Sequence, residues 1–156
     1  MTKSITCYNE GEVIGMEKNP IPQGRYLPAK KSKGFIYSAG MTPRLDGKLI
    51  LEGKVTSDNE ISFYQEAVVQ ATKNALTAIK NTLEDDEVLE EIINMTVYVN
   101  AGEGFTDHSK IADLGSNYLF EVLGEKGISP RAALGVKALP GKAPVEIQLV
   151  ASYKKF

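Results

Sequence analysis

The sequence predicts a single α+β domain, a mixed sheet with two helices packed on one of its faces. Three observations carry that expectation. β-rich and helix-period runs follow one another as strands, helix, strand, helix and two strands, an order that suits one sheet covered on one side. No repeat, low-complexity tract or long linker divides the 156 residues, so 1–156 reads as one unit. Composition agrees: 42% of the residues are hydrophobic and 24% charged, near globular averages, and a chain this long buries roughly 70% of its unfolded surface.

The elements follow in order. Ser4–Cys7 reads as a short first strand, and Gly11–Gly24, ending in Pro20, Pro22 and Gly24, as an irregular lead-in. Tyr26–Ala29 and Phe35–Ala39 read as a strand pair about a turn at Ser32-Lys33-Gly34. Gly40 and Pro43 break that pattern, and Asp46-Gly47 marks another turn. Ser57-x-x-Glu60 has the form of a capping box, in which each side chain satisfies a first-turn N–H. After it Ile61, Val68, Ala71, Ala75, Ile79 and Leu83 recur at helical intervals. Asn81 and the acidic run Glu84–Glu87, read as a solvated loop, close that helix.

Ile92–Val99 is a β-rich run with one buried and one partly polar face. Thr106 or Asp107 caps a second helix whose inner face is Ile111, Leu114, Tyr118 and Val122, with Gly124 as its stop. Arg131–Leu139 and Val145–Tyr153 are two closing strands around Pro140-Gly141. Ile36, Val97, Leu134, Ile147 and Leu149 sit among other apolar residues, so both sheet faces read as partly apolar. A bare apolar face on a small domain calls for a partner chain, which predicts an oligomer.

Charge and residue inventory narrow the function. Net charge is −2 with both signs interspersed, so no field draws nucleic acid or an anionic membrane. Lys30-Lys31-Ser32-Lys33 reads as a solvated turn. One cysteine, Cys7, excludes an internal disulfide and a multi-thiolate metal site. The first ten residues lack the apolar core of a signal peptide, and no run approaches the roughly 18 apolar residues that span a bilayer; the expectation is cytoplasmic. With His108 the only histidine, read as an exposed helix-start residue, Ser–His–Asp and His-based zinc catalysis lack their parts. Gly102-Glu103-Gly104 lacks phosphate-loop spacing and lysine. No metal and no cofactor is expected.

The remaining chemistry sits in the C-terminal third. Arg131 opens a strand and Glu146 lies fifteen residues later in Val145-Glu146-Ile147. A hairpin between them can bring guanidinium and carboxylate into one region. Arginine grips a carboxylate with paired donors, and a glutamate in a dry cleft handles protons near neutral pH. A surface arginine packed along its strand, and a glutamate on a solvated face, are the structural alternatives.

Gly24-Arg25-Tyr26, Ser38-Ala39-Gly40-Met41-Thr42-Pro43, Asp46-Gly47, Thr96–Val99, Phe105, Pro130-Arg131, Leu139-Pro140 and Val145-Glu146-Ile147 resemble, in order and spacing, the Rid family (reactive intermediate deaminases, YjgF-like). The resemblance runs from Gly24 to Tyr153; residues 1–23 match poorly. It implies a chorismate-mutase-like fold assembled as a homotrimer with clefts between chains. It also implies hydrolysis of enamines and imines such as 2-aminoacrylate to 2-oxo acids and ammonia.

By the resemblance, Arg131 binds the substrate carboxylate and Glu146 orients or activates water. Tyr26 lines the cleft from a neighbouring chain, and backbone near Ala133 holds the imine nitrogen. Phe105 and Pro140 complete the substrate-binding set, together with Ser38. The chain departs from the family pattern at Ala39, where a serine is usual and Ser38 is the nearest replacement. It departs again at Ala133, where a cysteine is usual, and near Asp113–Asn117, where a pocket asparagine has no match. Gly104-Phe105-Thr106-Asp107-His108 and Asn74-Ala75-Leu76 look like a divergent branch of the family. Two other classes stay open: a binding module for small carboxylates without turnover, and the RNA-cleaving or translation-inhibiting role linked to some relatives, which the near-neutral charge disfavours.

Overall fold

The computed structural model describes residues 17–156; the strand expected at Ser4–Cys7 lies outside them. A five-stranded sheet runs in the order β1-β2-β7-β5-β6. Its strands are β1 (Ala29–Ser32), β2 (Phe35–Ser38), β5 (Glu87–Asn100), β6 (Arg131–Val136) and β7 (Val145–Lys155). Neighbours are antiparallel except β5 and β6, which are parallel. Two-residue strands β3 (Arg44–Leu45) and β4 (Lys48–Leu49) pair beside the sheet. Helices α1 (Gln65–Lys80) and α2 (His108–Leu123) cover one face.

The first strand sits three residues later than expected, while the second begins at Phe35 as expected. Lys33 (φ 50°) and Gly34 (φ 85°) both occupy the left-handed region, the requirement of a two-residue turn that matches strand twist. That turn fixes Ser32 opposite Phe35 and Ala29 opposite Ser38. The strand therefore ends at Ser32 and begins at Ala29, leaving Tyr26 before it.

Helix α1 turns the expected face inward: Val68, Ala71, Ala75 and Ile79 are fully buried. The capping box does not form. Ile61–Tyr64 makes a tight 3₁₀ turn, Glu60 is extended, and no side chain caps either helical start. Burial of Tyr64 sets the entry instead. Its Oη accepts the Thr56 N–H (3.0 Å) and the Asn59 amide (3.2 Å), so the ring, 2% exposed, anchors the chain before the first turn.

Helix α2 ends at Gly124 as expected, but its buried stripe is Ile111, Ala112, Gly115 and Leu119, and Val122 is exposed. A Cβ on Gly115 would stand 2.5 Å from Met95 Cε and 2.9 Å from Thr72 Oγ1. The helix thus approaches α1 and the sheet on its smallest residues. Of the expected face, Ile111 is buried and Leu114 and Tyr118 pack partly buried against the core, while Val122 is exposed.

Strand β5 is longer than expected. A register irregularity between Ile92 and Asn94 moves the buried side from Ile92 to Met95, Val97 and Val99, because one extra residue inverts side-chain parity. The acidic run is not simply a solvated loop. Glu87 begins β5, and its carboxylate accepts from Lys31 Nζ (2.6 Å) and the Glu84 N–H (2.8 Å).

Strands β6 and β7 do not form the expected hairpin. β5 lies between them and pairs with both. The connection crosses the end of β5, where the Asn100 N–H donates to Pro144 O (2.9 Å) and its side-chain amide to Ala143 O (3.0 Å).

Ile36, Val97, Ile147 and Leu149 all face the helices at 0% exposure; of the five residues read as sheet-face apolars, only Leu134 lies on the open side, 45% exposed. Phe35 and Tyr37 join it there. The core tolerates little loss. Ile147→Val, which removes one buried methyl group, should cost about 0.5–1.5 kcal/mol in a denaturant titration.

Candidate functional site

Arg131 starts β6 opposite Met95, and Glu146 lies on β7 opposite Tyr98. Those positions are three residues apart on β5, so the two side chains leave opposite faces of the sheet. With a rise of about 3.3 Å per residue and strands about 4.8 Å apart, their α-carbons are separated by about 14 Å. One chain does not bring Arg131 and Glu146 together.

On the helix side, Arg131 is held by α2. Its Nη1 donates to Ser116 Oγ (2.7 Å), and its Nη2 to Ser109 O (3.1 Å), Ser109 Oγ (3.0 Å) and Asp113 Oδ1 (2.6 Å). Ser109, Asp113 and Ser116 lie at i, i+4 and i+7, one stripe of the helix. The resemblance directs attention to an asparagine near Asp113–Asn117, whereas the functional feature of this stretch is the stripe. Its signal was the spacing of three polar residues beside a buried set at 111, 112, 115 and 119.

On the open side, Glu146 is half-buried, and burial alone pushes its pKa above the ordinary glutamate value. Gly40 makes room for it. The Met41 and Ile147 backbones exchange two 2.8 Å hydrogen bonds, which clamps the Gly40 segment beside β7. A Cβ on Gly40 would lie 2.8 Å from Glu146 Cδ and Oε2. Gly40 also borders a cavity of about 490 Å³ beside α1, lined by Tyr26, Thr42, Lys73 and Asn74 but not by Glu146. Tyr26, about half exposed, accepts the Gln23 N–H at 3.1 Å.

Ser38, Phe105 and Pro140 sit apart from these two centres. Ser38 does not replace the missing serine. It is 3% exposed, accepts the Leu149 N–H (3.0 Å) and donates to Ala39 O (2.9 Å), so its hydroxyl is consumed on the core side. Phe105 is likewise a core ring, 6% exposed and edge-on to His108. Pro140 lies in the crossover beyond the far end of β6. His108 is not an exposed capping residue, since its imidazole covers Gly135, where a Cβ would meet Nε2 at 2.5 Å. Ala133 shares the helix side with Arg131. Met95 N–H donates to Pro130 O (3.1 Å). In an evenly spaced parallel ladder this turns the backbone groups of Arg131 and Ala133 to the free edge.

Among the described residues, Glu84, Asp86 and Glu87 are the carboxylates close enough to share a cation, and Lys31 and Lys155 already neutralise them. No helix of the described residues is long and apolar enough to cross a membrane.

The sequence model of the endoribonuclease L-PSP family matches residues 16–153. The chain belongs to this family, the Rid family. A RutC family protein of Aquifex aeolicus is 31% identical over 149 residues, covering 88% of this chain and 96% of that one. A solved Agrobacterium tumefaciens protein of unknown function superposes with a TM-score of 0.78 at 28% identity, covering 86% of each chain. A solved candidate endoribonuclease from Shewanella oneidensis gives a TM-score of 0.79 at 25% identity, covering 88% of this chain and 91% of its own. The α+β architecture with both helices on one sheet face is thus the Rid fold.

Proposed function

We propose that this Rid protein is a cofactor-free hydrolase of small imino acids and enamines, releasing a 2-oxo acid and ammonia. The observation that carries the reading is Glu146, a desolvated carboxylate whose proton affinity is raised by burial and which rests against a glycine. Such a group binds a proton more readily than an exposed glutamate, the property a proton-transferring residue needs.

In the proposed reaction Glu146 removes a proton from water as its oxygen adds to the imine carbon. The nitrogen receives that proton; Glu146 then takes the hydroxyl proton of the tetrahedral adduct and passes it to the nitrogen, so that a carbonyl forms as the C–N bond breaks and ammonia leaves. Arg131 holds the carboxylate, the free-edge backbone at Ala133 meets the nitrogen, and Tyr26 shapes the pocket.

The separation of Arg131 from Glu146 makes this a shared site. A small substrate cannot touch both in one chain, so one chain supplies the Arg131–Ala133 half and a neighbour supplies Gly40, Glu146 and Tyr26. A homotrimer with three such clefts satisfies the requirement. The exposed Phe35, Tyr37 and Leu134 support it, because an apolar sheet face wants cover.

A second reading, carboxylate binding without turnover, is favoured by the loss of the family's pocket serine at Ala39. A panel of freshly generated imino acids decides between them. Ammonia and 2-oxo acid released above the buffer rate support the hydrolase, whereas calorimetric binding without release supports the binder. Gly40→Ala sharpens the assay. The clash falls on the end of a flexible glutamate, so thermal stability should change little while turnover drops by about tenfold or more from a displaced base. Unchanged turnover would separate Glu146 from the chemistry.

A further inference from the structure

The reading that Arg131 holds a substrate carboxylate meets an obstacle in its own helix, and the obstacle has a use. A guanidinium grips a carboxylate through one of two forks, Nη1 with Nη2 or Nε with Nη2. Nη2 belongs to both forks, and its two hydrogens are engaged by Ser109 O, Ser109 Oγ and Asp113 Oδ1. Neither fork is open. The shortest of these contacts, 2.6 Å, comes from a carboxylate, the very group a ligand would bring.

We infer that Asp113 is an internal stand-in for the substrate carboxylate and sets the selectivity of the site. A ligand reaches the fork only by displacing Asp113, so weakly held monocarboxylates are turned away. Exposure fits this role. The Arg131 side chain is 21% exposed and that of Asp113 is 55% exposed, so the aspartate can swing into water without leaving a buried charge. With Asp113 itself exposed and Arg131 still held by Ser109 and Ser116, loss of the aspartate should cost little stability. Ser116, on the other terminal nitrogen at 2.7 Å, keeps the guanidinium in place while Nη2 changes partner.

The inference rests on the hydrolase reading only for the statement that Arg131 meets a carboxylate. Calorimetry with pyruvate as the probe, and its neutral amide as control, tests both parts on the full-length protein. Asp113→Ala should tighten pyruvate binding by about tenfold or more, the value of one charge-assisted hydrogen bond removed from competition. Asp113→Asn, which keeps the shape and an acceptor but not the charge, should fall between, and the amide should be indifferent to all three. Arg131→Ala should abolish pyruvate binding in either background.

Equal or weaker pyruvate binding in Asp113→Ala, with Arg131→Ala still abolishing it, overturns the stand-in while leaving Arg131 as the anion site. Pyruvate binding that survives Arg131→Ala overturns the arginine assignment and the stand-in with it. Absence of pyruvate binding to every form overturns both. Unfolding midpoints of the variants, measured alongside, separate a lost site from a lost fold.

Discussion

Glu146→Gln should lower imine turnover by about 10²-fold or more and, at neutral pH, make the protein more stable. Both effects have one cause. Burial raises the folded-state pKa of Glu146, so the native chain holds this proton more tightly than the unfolded chain does. The favourable contribution is complete below the unfolded-state pKa and is lost as pH rises through the folded-state value. Above that point the ionised carboxylate opposes folding. Glutamine is neutral throughout and escapes the penalty, so denaturant titrations should show its advantage at neutral pH and its disappearance in mild acid. A stability gain that persists unchanged into acid would assign the effect to packing instead. Wild-type turnover in the glutamine variant would remove Glu146 as the proton carrier.

How legible this was differs between fold and site. Period-2 and helical patterns report what is buried around one element, and they placed α1 through Val68, Ala71, Ala75 and Ile79. They are blind where small residues make the contact. Gly115 and Ala112 carry almost no apolar signal, yet they set how closely α2 approaches, so the expected face holds Ile111, Leu114 and Tyr118 but misses these two and runs on to exposed Val122. The order of strands in the sheet was equally hidden. Residues Arg131–Tyr153 read alone as a hairpin, and only β5, with two edges to pair, explains why β6 and β7 part around it.

That error propagated to the site. Arg131 and Glu146 were expected on one hairpin, yet intervening β5 and an odd register offset send them to opposite faces. Glu146 itself was visible in the Val-Glu-Ile series, but its neighbour Gly40 gained its meaning only from the Met41–Ile147 bridge. Ser38 looked like a substitute for the missing serine because sequence distance ignores parity. One step along a strand turns the hydroxyl from the open side into the core.

Mixing two inactive variants should restore activity. Arg131→Ala leaves Glu146 intact, Glu146→Gln leaves Arg131 intact, and in one chain the two groups stand about 14 Å apart on opposite faces. If neighbouring chains build each site, a trimer containing both variants includes interfaces where native Arg131 meets native Glu146. With equal amounts and random assembly, an interface has a one-half chance of a native arginine on one side and a one-half chance of a native glutamate on the other. Activity should therefore return to about one quarter of wild type, because a closed ring repeats the same heterologous contact at each interface. The variants are mixed unfolded, refolded together and assayed beside each parent refolded alone. Light scattering checks that the product has three times the 17.0 kDa chain mass. A trimer of that mass with no recovered activity would place both residues' work within single chains, against the register of β5, or exclude one of them from the reaction. A monomer would remove the shared cleft altogether and leave Phe35, Tyr37 and Leu134 exposed without a partner of their own kind.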